Sequence, residues 1–175
     1  MKKVLIFTLS LLLLAATIVF VIWASVGDFR VTYAGKEAGE VSEAVYVSAK
    51  SPLTLNVEKP LLRTYTFQLE TVAESDFTFL KGGILTKLPS SMDASEAFDV
   101  SVKDGIMTIT PKGNLEEVLG ILTGSSCTVD DELIISSGNL FEISFYTSGT
   151  EPVATFAFTL SPKSFVFTLP QEVVF

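Results

Sequence analysis

Apolar and polar residues alternate along most of residues 28–175, and this pattern constrains the fold more than any other feature. Successive side chains of a strand point to opposite faces, so the alternation is typical of strands with one buried face. In "FDVSVKDGIMTIT" (98–110) it continues on both sides of Asp104-Gly105, a strong hairpin signal. A second hairpin is predicted over residues 76–88, with its turn at Lys81-Gly82-Gly83. Alternation over residues 61–69 predicts a further strand of an antiparallel sheet.

One segment of this part has helical spacing instead. Asn114 and Glu117 form a capping-box pattern, and Gly124 suits the C-terminal end of a helix. Between Asn114 and Gly124, four apolar residues follow the i, i+3, i+4, i+7 pattern: Leu115, Val118, Leu119 and Leu122. We expect this stripe to pack against a sheet, and a helix that binds a partner is the alternative.

The number and spacing of these elements indicate the fold class. About nine to eleven short strands, with turns every 8–12 residues or so, are typical of a β-sandwich. Alternating βαβ units are absent from the sequence, which argues against a parallel doubly wound sheet. We therefore predict an all-β, mainly antiparallel, β-sandwich-like domain with one short helix over residues 28–175. A partly closed barrel is the alternative.

The N-terminal 27 residues are of a different kind. Residues 4–23 carry no charge, Lys2 and Lys3 precede them, and the first acidic residue is Asp28. About 20 apolar residues cross the hydrocarbon core of a membrane, whereas the apolar part of a signal peptide is about 7–15 residues long. Trp23 suits a position at the membrane interface. These features predict an N-terminal transmembrane helix that contacts the membrane through residues 4–23.

A cleaved signal segment is the alternative to an anchor. Ile22-Trp23-Ala24 and Ser25-Val26-Gly27 each place small residues where a peptidase cuts, and cleavage there would give a secreted protein. In both cases the positive-inside rule predicts that Lys2 and Lys3 are cytoplasmic and that residues 28–175 are extracytoplasmic.

The charge of residues 28–175 bears on which partners the protein can bind, and the cysteine content bears on the kind of organism it comes from. Ten basic and twenty acidic residues follow residue 27, so this part has a net charge of −10. Binding to nucleic acid needs clusters of Lys and Arg, and binding to anionic lipid through a polybasic patch needs them too. Because this part is acidic, we expect neither kind of binding. The single cysteine, Cys127, rules out an intramolecular disulfide. An exported protein without disulfides is more expected in a bacterium or an archaeon than in a eukaryotic secretory pathway.

The sequence offers few groups for catalysis or metal binding. It contains no histidine, which removes the commonest general base and transition-metal ligand, and it contains no glycine-rich phosphate loop. We therefore predict no catalytic residue, no metal site and no cofactor. Asp130, Asp131 and Glu132 are oxygen ligands suited to calcium, but their spacing departs from a calcium loop, and we expect a solvated turn. These acids also make a reactive Cys127 unexpected, so we interpret it as a small apolar residue that begins a strand.

Three families of membrane-anchored exported proteins share single features with this chain. Ser91-Met92 resembles the serine box of signal peptidases, but Asp93-Ala94 follow where a proline is expected, and no lysine box is present. Sortases need a histidine beside their cysteine. Type IV pilins have a glycine before their first phenylalanine and a glutamate after it, and the segment around Phe7 has neither.

The leading functional hypothesis is a non-enzymatic binding or interaction module of the cell envelope, with another envelope protein or a glycan as its partner. A carboxylate-based hydrolase of envelope glycans is the second, because two carboxyl groups suffice for glycoside hydrolysis. A structural subunit that assembles through strand edges is the third. Four scattered tyrosines are the candidates for stacking on a sugar: Tyr33, Tyr46, Tyr65 and Tyr146.

Overall fold

The computed structural model describes residues 2–41, 45–72, 77–129 and 139–160, and it begins with the helix α1 (Lys2–Ser25). Within α1, Ile6–Ser25 form a segment of 20 residues with a mean hydropathy of 2.6, and Ala24, next to its end, is the one buried residue in it. At about 1.5 Å per residue this segment is about 30 Å long, which matches the hydrocarbon core of a membrane. The predicted apolar N-terminal helix is confirmed.

Strands are the main secondary structure of the described chain after α1. They are β1 (Arg30–Tyr33), β2 (Lys36–Glu37), β3 (Val45–Val47), β4 (Leu53–Glu58), β5 (Thr66–Thr71), β6 (Thr78–Lys81), β7 (Ile84–Lys87), β8 (Phe98–Lys103), β9 (Ile106–Pro111), β10 (Cys127–Thr128), β11 (Phe141–Tyr146) and β12 (Ala154–Leu160). The second helix, α2 (Leu115–Thr123), lies between β9 and β10. The strands form three sheets, in the orders β2-β1-β4-β9-β8, β3-β12-β11-β5 and β10-β6-β7.

The five-stranded sheet is antiparallel throughout and has one buried face. In β4, Leu53, Leu55 and Val57 are buried and the residues between them are exposed. Their cross-strand partners on β9, Met107 and Ile109, are also buried. The period-two pattern therefore corresponds to one apolar and one solvated face, as predicted.

The four-stranded sheet brings together segments that are distant in sequence. β11 is antiparallel to both β12 and β5, whereas β3 is parallel to β12 at the edge of the sheet. Its apolar face contains the fully buried Phe141, Ile143 and Phe145 of β11. On the opposite face, the hydroxyl groups of Ser144 and Thr155 form a hydrogen bond of 2.9 Å between neighbouring strands.

Aromatic rings join these two sheets. The ring of Phe98, on the first strand of the β8–β9 hairpin, packs edge-on against Phe141 and Phe158 of the other sheet, with centroid distances of 5.2 and 5.7 Å. Edge-on contacts at these distances are a favoured geometry of aromatic pairs. The apolar faces of the two sheets therefore meet in one core. The prediction of a mainly antiparallel, sandwich-like β domain with one short helix is confirmed.

The local turns and caps follow the sequence signals. Both predicted hairpins are present, and their turn residues have positive φ: +52° and +77° at Asp104-Gly105, and +59° and +79° at Gly82-Gly83. α2 begins after Asn114 and ends at Gly124, which has φ +66°. Its apolar stripe packs into the core, with Leu115, Val118 and Leu119 buried and Leu122 partly buried.

The alternation over residues 61–69 was misleading in its first half. β5 starts only at Thr66. Residues 60–63 form a turn instead, in which the Arg63 N–H donates to the Pro60 carbonyl at 3.0 Å. Pro60 favours this turn because its φ is fixed and it has no N–H to donate to a neighbouring strand. The sequence also predicts strands in "CTVDDELIISS" (127–137) and "SFVFTLPQEVVF" (164–175). Residues 130–137 and all of 164–175 lie outside the described residues.

Candidate functional site

The β6–β7 hairpin carries the candidate site, because it exposes two large aliphatic side chains beside each other. Ile84 and Leu85, the first residues of β7, are 70% and 57% exposed. Leu85 lies opposite the partly buried Leu80, and Ile84 lies opposite Lys81, so Ile84 and Leu85 are on different faces of the hairpin. Single exposed aliphatic residues are common, but this adjacent pair places one exposed apolar side chain on each face near the hairpin turn.

The base of this hairpin is fixed to the domain. Phe79 of β6 is fully buried, and its ring stacks with that of Phe77 at a centroid distance of 6.1 Å. The Lys81 ammonium group donates to the carbonyl of Thr123 at 3.2 Å, at the C-terminal end of α2. A cation is favourable there because the last carbonyls of a helix carry partial negative charge. The hairpin is therefore held to the domain through Phe79 along β6 and through Lys81 next to its turn.

β7 also offers backbone hydrogen-bonding groups. It is the last strand in the order β10-β6-β7, so among the described residues no strand pairs with its outer side. Unpaired N–H and C=O groups of an edge strand can pair with an added strand from another chain. The apolar tip and the strand edge together suit a protein segment as ligand.

Cys127 begins β10, as predicted. It also packs against the core. Its sulfur lies 3.1 Å from the hydroxyl of Thr123. The sequence indicated only acidic neighbours, whereas the structure places Lys81 directly opposite Cys127 across the sheet. Sequence reasoning missed this pairing because β6 and β10 are far apart in the chain. The acidic triplet 130–132 lies outside the described residues.

The loop that contains Ser91 has a structural role. The Ser91 N–H donates to the Thr71 carbonyl at 2.9 Å, and the Met92 N–H donates to the Thr71 hydroxyl at 3.0 Å. The same hydroxyl donates to the carbonyl of Pro89 at 2.7 Å. This network ties the loop to the end of β5.

A cleft of about 280 Å³ lies between β1, the turn after β2 and the start of β12. Its acidic residues are Asp28 and Glu37. Glu37 forms an ion pair with Arg30, at 3.1 Å between Oε1 and Nη2. Glycoside hydrolysis needs two carboxyl groups that act on one bond, and here the Glu37 carboxylate is held by a guanidinium group on the neighbouring strand. The cleft therefore gives the hydrolase hypothesis little support.

The tyrosines do not form a stacking platform. Tyr65 packs against Phe29 and Phe145, with centroid distances of 5.2 and 6.1 Å, and burial raises the pKa of its phenol. Tyr33, Tyr46 and Tyr146 lie on three different strands, β1, β3 and β11. A sugar ring stacks on aromatic faces that share one surface, and these residues are dispersed over the two main sheets.

Comparisons with known proteins do not assign a function to these residues. No family model matches the chain, and no curated protein or solved structure is detectably similar to it. Over the ranges that the structure describes, no three His, Cys, Asp or Glu side chains gather in a way that could hold a metal ion. The candidate site at the β6–β7 tip is therefore argued from its exposure and its strand edge alone. Its sequence signal is the adjacent pair Ile84-Leu85, which breaks the alternation and places an apolar residue on each face.

Proposed function

We propose that this protein is a membrane-anchored, non-enzymatic binding module, and that its β domain binds another protein of the cell envelope through the β6–β7 hairpin. The observation that carries the proposal is the exposure of Ile84 and Leu85 on the edge strand β7. Covering one such side chain completely contributes about 1.5–3 kcal/mol. Two of them, with backbone pairing along β7, would support a contact of modest affinity once the costs of association are included.

The properties of α1 support the anchor in this proposal. The hydroxyl groups of Thr17 and Ser25 donate to the carbonyls of Leu13 and Val21, at 2.8 and 2.7 Å. These polar groups are thereby satisfied within the helix, as a lipid environment requires. Trp23, near the end of the helix, is exposed and suits the interface between lipid and water.

The end of α1 supports an intact anchor over a cleaved signal. Ala24 is buried, and its carbonyl accepts a hydrogen bond from the Leu62 N–H at 3.2 Å. Both candidate cleavage positions, after Ala24 and after Gly27, therefore lie at a junction that packs against the domain. Lys2 and Lys3 at the start of the helix favour a cytoplasmic N-terminus and an extracytoplasmic domain. The lone cysteine supports a bacterial or archaeal source.

Cross-linking on intact cells, followed by identification of the captured protein, tests the binding site. The double substitution Ile84→Asp/Leu85→Asp should abolish capture, because it places two charges on the apolar tip. The matched control is Val102→Asp on β8, where a large aliphatic residue is 51% exposed at another place in the domain. Equal capture by the wild type and the double variant would overturn the proposed site. Capture of further copies of this chain alone would replace it with self-assembly through strand edges.

N-terminal sequencing of the protein from the membrane fraction tests the anchor. We expect a start at Met1 or Lys2, whereas a start near Ser25 or Asp28 would show a cleaved signal. An impermeant reagent should label residues 28–175 on whole cells. Labelling only after lysis would contradict the proposed topology.

A further inference from the structure

The turn at residues 60–63 has an unusual composition for an exposed turn. Leu61 and Leu62 occupy its two central positions and are 62% and 53% exposed. Such positions favour Gly, Pro, Asn, Asp and Ser, because these residues fit the turn geometry or bond to the local backbone. Two leucines there provide neither property. They place two exposed apolar side chains on this turn.

The position of this turn identifies what it faces. The Leu62 N–H donates to the carbonyl of Ala24, so the turn is fastened to the last residues of α1. Pro60 is buried and lies beside Gly27, just after the helix: a Cβ added to Gly27 would be 3.6 Å from the Pro60 Cγ. Val26, at the same junction, is also exposed. The exposed leucines of the turn therefore lie directly beside the end of the apolar helix.

Basic residues stand at both ends of the turn, with Lys59 before Pro60 and Arg63 after Leu62. Lys59 and Arg63 are both exposed, in a domain whose net charge is −10. The Lys59 ammonium group donates to the Arg63 carbonyl at 2.9 Å, which holds the two ends of the turn together. Apolar residues flanked by Lys or Arg match the order of a bilayer interface, where acyl chains lie below phosphate groups.

From this arrangement we infer that the Pro60–Arg63 turn is a second membrane contact of the domain. Leu61 and Leu62 enter the outer edge of the hydrocarbon region beside the end of α1, and Lys59 and Arg63 meet the lipid phosphates. The inference rests on the proposed function, because it requires α1 to remain in the membrane. Its consequence is orientation: two contacts, the helix and the turn, restrict rotation of the β domain relative to the bilayer.

Depth-dependent quenching in vesicles tests this inference on the full chain. A single cysteine at position 62 (Leu62→Cys in a Cys127→Ala background) carries an environment-sensitive fluorophore. The protein is reconstituted in vesicles of phosphatidylcholine and phosphatidylglycerol. Lipids brominated near the headgroup end of the acyl chain act as quenchers. Leu85→Cys, at a similarly exposed leucine, is the matched control. Leu61→Cys is a second reporter from the same turn.

We expect a blue-shifted emission and strong quenching at positions 61 and 62, and neither effect at position 85. Trp23 is the only tryptophan, so its own fluorescence reports on α1 in the same samples. Quenching of Trp23 without quenching at positions 61 and 62 would overturn the inference and leave the anchor intact. Loss of quenching at Trp23 as well would refute the anchor. A blue shift at position 62 without lipid quenching would assign the turn to a protein contact and also overturn the inference.

Discussion

Phe98→Ala should destabilise the β domain more than any substitution on its surface. Phe98 is 3% exposed, and its ring contacts one phenylalanine on each of two strands of the opposite sheet. Burial of the side chain contributes about 1.5–3 kcal/mol. Each of the two aromatic pairs adds about 0.5–1.5 kcal/mol. We therefore expect a loss of about 4 kcal/mol in the free energy of unfolding, within the range of about 3–5 kcal/mol for such substitutions.

Pulse proteolysis of the full chain in detergent micelles, over a series of urea concentrations, measures this loss without interference from α1. The midpoint of unfolding should fall while the slope stays constant. The control is Val102→Ala, two alternations further along the same strand but 51% exposed, which should cost about 0.5 kcal/mol or less. If Phe98→Ala lowers stability by less than about 1 kcal/mol, the two sheets do not depend on this contact and the packing argument is wrong.

Three smaller perturbations probe local features by the same measurement. Asn114→Ala should cost about 1 kcal/mol, because the Asn114 side chain accepts the Glu117 N–H at 2.9 Å and caps α2. Gly105→Ala should cost about 1–2 kcal/mol, because φ is +77° and an added Cβ would lie 3.3 Å from the Val57 carbonyl oxygen. Burial raises the pKa of Tyr65, so the folded domain keeps that proton to higher pH than the unfolded chain. The free energy of unfolding should therefore fall as the pH rises above about 10, the pKa of tyrosine in an unfolded chain. The fall should be smaller in Tyr65→Phe than in the wild type.

Each of these expectations has its own control. Asn114→Ser keeps a capping oxygen and should retain most of the stability that Asn114→Ala loses. Gly39→Ala, where an added Cβ meets nothing within 4 Å, should be tolerated far better than Gly105→Ala, and equal losses would contradict the steric argument. The wild type is the reference for Tyr65→Phe, and equal alkaline slopes in the two proteins would show that burial of this phenol is not linked to folding.

The candidate surfaces could be recognised from the sequence only in part. In the sequence, the consecutive aliphatic residues Ile84-Leu85 indicate that the alternation of polar and apolar residues is interrupted. Only the structure shows that both side chains are exposed. Leu61 and Leu62 fit an alternating strand equally well on paper. Their exposure follows from the Pro60–Arg63 hydrogen bond and from the contact with Ala24, which joins residues 38 positions apart.

The sequence alone determined the features that depend on neighbouring residues. Asp104-Gly105 and Gly82-Gly83 adopt positive φ and close their hairpins, and Asn114 and Gly124 set the ends of α2. The apolar run of α1 forms a helix by the same local logic. Only the tertiary structure decided which strands are neighbours, such as β3 parallel to β12, and which charged residue lies opposite Cys127. The physical reason is that turns and caps are satisfied within a few residues, whereas strand order depends on how apolar faces from distant segments fill one core.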